Sequence, residues 1–149
     1  MARFFYPYGN AAELSGKSYT VGGGTTGTQP TFTGDPLFYG KYIRIGNFVH
    51  FEIEVNFDNI LTFGTGQYYL TLPFNAGSET FVREGTLYDI SEARQFNMSG
   101  SITTGSSEVL LYSSDKIASG VQDIPFTSTS PFTLAIADNF QISGSYIAA

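Results

Sequence analysis

Three side chains that could do chemistry alternate along one short stretch, His50, Glu52 and Glu54 in "FVHFEIEVNF" (Phe48–Phe57). Imidazole and carboxylate are ordinary ligands of a divalent cation and ordinary partners in acid–base catalysis. Spaced by two on an extended chain, neighbours stand about 7 Å apart on one face. Two carboxylates at that separation touch the range used by glycoside hydrolases. A single strand, however, presents its groups in a row, and a catalytic or metal centre needs groups converging from several elements. The same row reads as an ordinary polar strand face, exposed or packed on another subunit. His50, Glu52 and Glu54 are therefore expected as subunit-interface residues, with no catalytic or metal role. His50 is the chain's single histidine, so a Ser-His-Asp arrangement would have to use it, and no Gly-x-Ser-x-Gly nucleophile turn occurs.

A second pattern with chemical meaning lies in "YTVGGGTTGTQP" (Tyr19–Pro30), where Gly22-x-Gly24-x-x-Gly27 matches the spacing of a dinucleotide-binding fingerprint. In that fingerprint a strand enters the turn and a helix follows, its N-terminus holding the pyrophosphate. Here Thr28-Gln29-Pro30-Thr31 follows, which cannot start and continue a helix. The Lys-Ser or Lys-Thr of a P-loop is missing as well. The stretch reads as a flexible joint, with Gly22, Gly23 and Gly24 as its hinge. No cofactor is expected.

The elements that must carry these residues are short strands. In Phe48–Phe57, Val49, Phe51, Ile53, Val55 and Phe57 share one face and the polar residues share the other. Gly46-Asn47 is a two-residue turn signal, so Lys41–Ile45 and Phe48–Phe57 are expected to form a hairpin. Tyr68, Leu70 and Leu72 line one face of "GQYYLTLPF", which Pro73 closes. "TFVREGTLYDI", "RQFNMSGSI", "EVLLYSS", "PFTLAI" and "NFQISGSYI" follow as further strand candidates. "SEARQF" is too short for a helix, and "SSDKIASG" allows one turn at most. The pattern predicts an all-β, antiparallel sandwich over 30–149, preceded by an extended N-terminal arm and hinge over 1–29.

Composition narrows the task. Charged residues make up 13% of the 149 residues, about half the usual share of roughly 25%. Ser, Thr, Asn, Gln and Gly must cover the surface, as is common on secreted and virion proteins. With 7 Lys and Arg and a formal net charge of −6, the chain is poorly suited to nucleic acid or to an anionic membrane. Cysteine is absent, so disulfides, thiol nucleophiles and thiolate metal sites are excluded. No apolar run approaches the ~20 residues of a membrane-spanning helix, and the N-terminus lacks a signal-peptide pattern. Asn97-Met98-Ser99 fits a glycosylation acceptor, which means little without a secretion signal. Phe4, Phe5, Tyr6 and Tyr8 precede any core pattern and are expected to dock on a partner.

From "QPTFTGDPLFYGKYIRIGN" to "GTGQYYLTLPF" the chain resembles a β-rich module of tailed-phage virion proteins. The features that carry the resemblance are Tyr42-x-Arg44-x-Gly46, Val49-x-Phe51-x-Ile53, Gly64-Thr65-Gly66 and Leu72-Pro73. The match covers roughly 29–75 well and the rest weakly. It implies a jelly-roll-like sandwich, a homotrimer, a place on the virion surface, and no catalytic residues. Read as a complete small protein without an upstream shaft, the chain is expected to be a capsid decoration or cement protein. It would be made in the bacterial cytoplasm and would clamp neighbouring major capsid subunits. The alternative is a tail-fibre or tail-tip module contacting host-surface saccharide through the loops "TFGTGQYY" and "SSDKIASGVQD". A glycosidase built on Glu52 and Glu54 is a more distant alternative.

Overall fold

A computed structural model describes residues 16–117 and 120–149. In chain order the strands are β1 (Lys17–Tyr19), β2 (Gly23–Thr25), β3 (Thr31–Phe32), β4 (Leu37–Ile45), β5 (Phe48–Asn56) and β6 (Ile60–Thr62). They continue with β7 (Tyr68–Thr71), β8 (Thr80–Asp89), β9 (Arg94–Ile102), β10 (Glu108–Ile117), β11 (Gly120–Pro125) and β12 (Asn139–Ile147). The described residues contain no helix, hence none long and apolar enough to cross a membrane. The fold is all-β and antiparallel, as the alternation predicts.

Ten strands form one curled sheet in the order β1-β4-β5-β12-β8-β9-β10-β7-β2, with β11 also on β10. β3 and β6 pair as a separate small sheet. The expected hairpin is present: Ile45 pairs with Phe48, and Gly46 takes φ +60°, a left-handed value suited to the first position of a primed two-residue turn. Because the sheet curls, its inward faces meet across a single core and the fold is sandwich-like. Val49, Phe51, Ile53 and Val55 of β5 all point into it. At its centre Phe140 lies 5.9 Å from Phe57 and 5.3 Å from Phe126, and Tyr68 stacks on Phe126 at 5.1 Å. Each such ring contributes about 2 kcal/mol through burial and a fraction more through edge or offset contact.

The glycine-rich stretch is not a free joint. β1 pairs with β4 at one edge of the sheet, and β2 pairs with β7 at the other. One short run, Lys17–Thr25, therefore reaches both edges and draws them together. Between the two strands Val21 is buried, and the Gly22 amide donates to Thr71 Oγ1 at 2.6 Å. Glycine is needed here for close approach: a Cβ on Gly23 would sit 2.9 Å from both Leu70 Cδ2 and the Tyr69 carbonyl oxygen. The hinge expected at Gly22, Gly23 and Gly24 is thus corrected to a seam. The boundary at residue 30 is corrected with it, since β1 and β2 belong to the same sheet as the strands that follow.

Two further expectations change. Pro131–Ile136, "PFTLAI", forms no strand: Phe132 stacks on Phe96 and Leu134 is buried, so these two cap the core from a loop while Ile136 faces outward. Of "SSDKIASG", the described residues 113–117 and 120 lie in β10 and β11, which pair with each other, and none of them is helical. Phe4, Phe5, Tyr6 and Tyr8, assigned to a docking arm, lie outside the described residues.

Candidate functional site

Antiparallel register turns the outward side chains of β4, β5, β12 and β8 into rows that run across the sheet. One row reads Tyr39, Glu54, Gln141, Thr86. The next reads Lys41, Glu52, Ser143, Glu84. A third holds Ile43, His50 and Ser145, and a fourth holds Ile45, Phe48 and Ile147. The outer face therefore grades from polar, with one exposed aromatic ring, to wholly apolar.

The first two rows line an open trough of about 550 Å³. Tyr39 and Lys41 of β4, Glu52 and Glu54 of β5, Gln141 and Ser143 of β12 and Glu84 and Thr86 of β8 line it. A bulge in β8 supplies one wall. Val82 pairs with Gly100 and Gly85 with Met98, so β8 uses one more residue than β9 over the same interval. Val82 and Leu87 both remain in the core, and the extra residue leaves Arg83 and Glu84 consecutively exposed. Bulges re-aim side chains in this manner. Glu84 thereby meets Ser143, whose hydroxyl lies 3.4 Å from the Glu84 carboxylate.

Glu84 and Ser143 also border a second hollow of about 360 Å³, which continues the trough past His50 to Phe81 and Arg83. The guanidinium of Arg83 lies 4.6 Å from the Phe81 ring centre and pairs with Asp123 at 3.3 Å. Tyr39 and Phe81, 58% and 43% exposed, stand at the two ends.

His50, Glu52 and Glu54 all face outward on β5, as the alternation requires. His50 shares a hydrogen bond with Ser145 Oγ at 2.9 Å through Nδ1, and its Nε2 lies 3.9 Å from Glu52. The Glu52 side chain is 68% exposed. Glu52 and Glu54 stand side by side on one strand, and among the described residues no element folds over them to exclude water. Among the described residues no group of three or more His, Asp or Glu side chains is placed to hold a metal ion. The arrangement suits hydrogen bonding and stacking against something laid on the sheet.

Sequence reasoning found one strand of this face and missed its other walls. Tyr39, Gln141 and Glu84 enter only through register, two of them from strands distant in the chain. The bulge left one signal: Val82 and Leu87 are an odd number of residues apart, with Gly85 between them. The loop "TFGTGQYY" is occupied by the chain itself, since Gly27 donates to the Thr65 carbonyl and Thr65 donates to that of Thr28, at 3.0 and 2.9 Å.

The ion pair between buried Asp89 and half-exposed Arg94 belongs to architecture. Asp89, 2% exposed, closes the β8–β9 turn by accepting from Ser91 Oγ at 2.7 Å, the Glu92 amide at 3.2 Å and Arg94 Nη2 at 2.8 Å. Burial opposes its charge, but the hydrogen bonds from Arg94, Ser91 and Glu92 together outweigh it and hold its carboxyl below the ordinary carboxylate value. Arg94 also lies over the stacked Phe96 and Phe132 rings. Compared with known proteins, the chain matches no family model, no curated protein and no solved structure.

Proposed function

We propose that the chain is a non-enzymatic structural protein of a tailed-phage virion, a homotrimeric decoration protein that clamps neighbouring major capsid subunits from the outside of the shell. The observation that carries this reading is the apolar row Ile45, Phe48 and Ile147, which are 48%, 47% and 45% exposed and adjacent in register. Contiguous exposed apolar side chains mark contact surfaces. Gly16, where the described chain begins, lies beside Ile43, one row away. The resemblance over 29–75 and the low share of charge support a virion setting. Burying the exposed half of each large side chain is worth about 1 kcal/mol, and linking three copies multiplies weak contacts. His50 stands in the next row and joins the subunit interface in this reading, while Glu52 and Glu54 lie further along β5.

Co-sedimentation with purified shells lacking decoration tests the reading. The variant carrying Ile45→Ser, Phe48→Ser and Ile147→Ser should lose shell binding by roughly 100-fold with its urea midpoint nearly unchanged. A wild-type protein that ignores shells, or that imaging finds in a few copies on the tail, removes the capsid reading.

A second reading, a tail-fibre or tail-tip module that contacts host-surface saccharide, is favoured by a separate observation. That observation is the polar trough, whose hydroxyl, amide and carboxylate groups end on the exposed ring of Tyr39.

A further inference from the structure

We infer that the trough on the outer face of β4, β5, β12 and β8 is a binding site for a neutral oligosaccharide laid across the strands. This deepens the second reading and rests on it for the ligand being a saccharide; it does not depend on where the protein sits in a particle. Four features point the same way. The floor and walls are hydrogen-bonding groups of mixed type: the Gln141 amide, the Thr86 and Ser143 hydroxyls, the Lys41 ammonium and three carboxylates. A polyol presents paired hydroxyls that both donate and accept, which such a mixture satisfies. Tyr39 offers a flat apolar ring at one end, 58% exposed, and sugar rings have an apolar face to set against it. Phe81, at the far end of the adjoining hollow, has the Arg83 guanidinium over its ring and leaves Tyr39 as the stacking platform.

The trough is open along its length, which suits a chain molecule entering sideways better than a small ligand that must be enclosed. From β4 to β8 it crosses three strand spacings, about 14 Å, room for more than one ring. Its charge selects within the class. Of the residues lining the first hollow, Lys41 alone is cationic, against Glu52, Glu54 and Glu84. In the second, Arg83 is already engaged by Asp123. A uronate or sulfated chain would bring like charge onto the carboxylates, whereas neutral hydroxyls would donate to them.

The test uses the full chain, with amide chemical-shift mapping and calorimetry at millimolar oligosaccharide. The neutral probes are cellohexaose, xylohexaose, mannohexaose and chitohexaose; the anionic probes are oligogalacturonate and a heparin oligosaccharide. The expected result is that at least one neutral probe binds and shifts resonances of Tyr39, Thr86 and Gln141. Tyr39→Ala should weaken it tenfold or more at an unchanged thermal midpoint, and Tyr39→Phe should keep it. If a neutral probe binds and Tyr39→Ala has no effect, the site is wrong while the saccharide reading stands. If only anionic probes bind, the class is wrong. If no probe binds, the inference and the saccharide reading fall together.

Discussion

Tyr19 donates its hydroxyl to the carbonyl of Thr71 at 3.0 Å, although its own strand is paired to β4 at the opposite edge of the sheet. A single side chain thus reaches across the place where the curled sheet would otherwise gape. The side chain is half-buried, and this burial, with the Tyr146 charge adding to it, raises its pKa well above the ordinary phenol value. Tyr19→Phe should cost about 1 kcal/mol, more if the Thr71 carbonyl is left without a partner. Equilibrium urea unfolding measures it.

Gly23→Ala distinguishes a seam from a joint. In a mobile linker the substitution would be neutral or slightly stabilising through the unfolded chain. Against Leu70 and the Tyr69 carbonyl the new methyl has no room, and we expect a loss of about 1–3 kcal/mol. An unchanged or raised urea midpoint would falsify the seam.

Asp89→Asn should show a pH signature. The folded pKa of Asp89 lies below its unfolded value near 3.8. Its charge therefore stabilises the fold fully above that value, and the stabilisation is lost as pH falls through the folded pKa. The variant should be less stable than wild type by about 1–3 kcal/mol at neutral pH. The gap should narrow below pH 3.8. A gap that stays constant down to strong acid would show that the turn does not depend on the charge.

Phe140→Ala removes a ring wedged between Phe57 and Phe126 on the strand between β5 and β8. The expected cost is about 3–5 kcal/mol, as for other large-to-small changes in a closed core. Thermal and denaturant unfolding should agree on it.

Glu52→Gln and Glu54→Gln should leave stability within about 0.5 kcal/mol, because exposed charges and weak surface pairs contribute little. A larger loss would mean that these carboxylates support the fold, and their place on a contact surface would then need another explanation.

The local part of the fold was legible in the chain. Alternation in Phe48–Asn56 and the Gly46-Asn47 turn specified a hairpin that needed no distant information. Tyr68, Leu70 and Leu72 point inward as their spacing required. What escaped was set by partners far away. The glycine run looks like a linker because glycine marks both freedom and close approach, and only Leu70 and Tyr69 decide between them. Pro131–Ile136 alternates like a strand, yet no strand among the described residues offers it a ladder. Ser145 stands beside His50 across a separation of 95 residues, so no reading of β5 alone could reveal that its polar face belongs to a trough.

The position of β12 has a consequence for biosynthesis. It lies between β5 and β8, pairing with both, although it is the last strand described in the chain. A nascent polypeptide emerging from the ribosome can make the β4–β5 and β8–β9 hairpins early, but each then carries a bare edge. Such edges are templates for pairing with other chains. Completion waits for β12 to insert, which closes wide loops late and slows folding. Stop codons or stalled translation before Asn139 should therefore yield aggregates, with no folded fragment among the products.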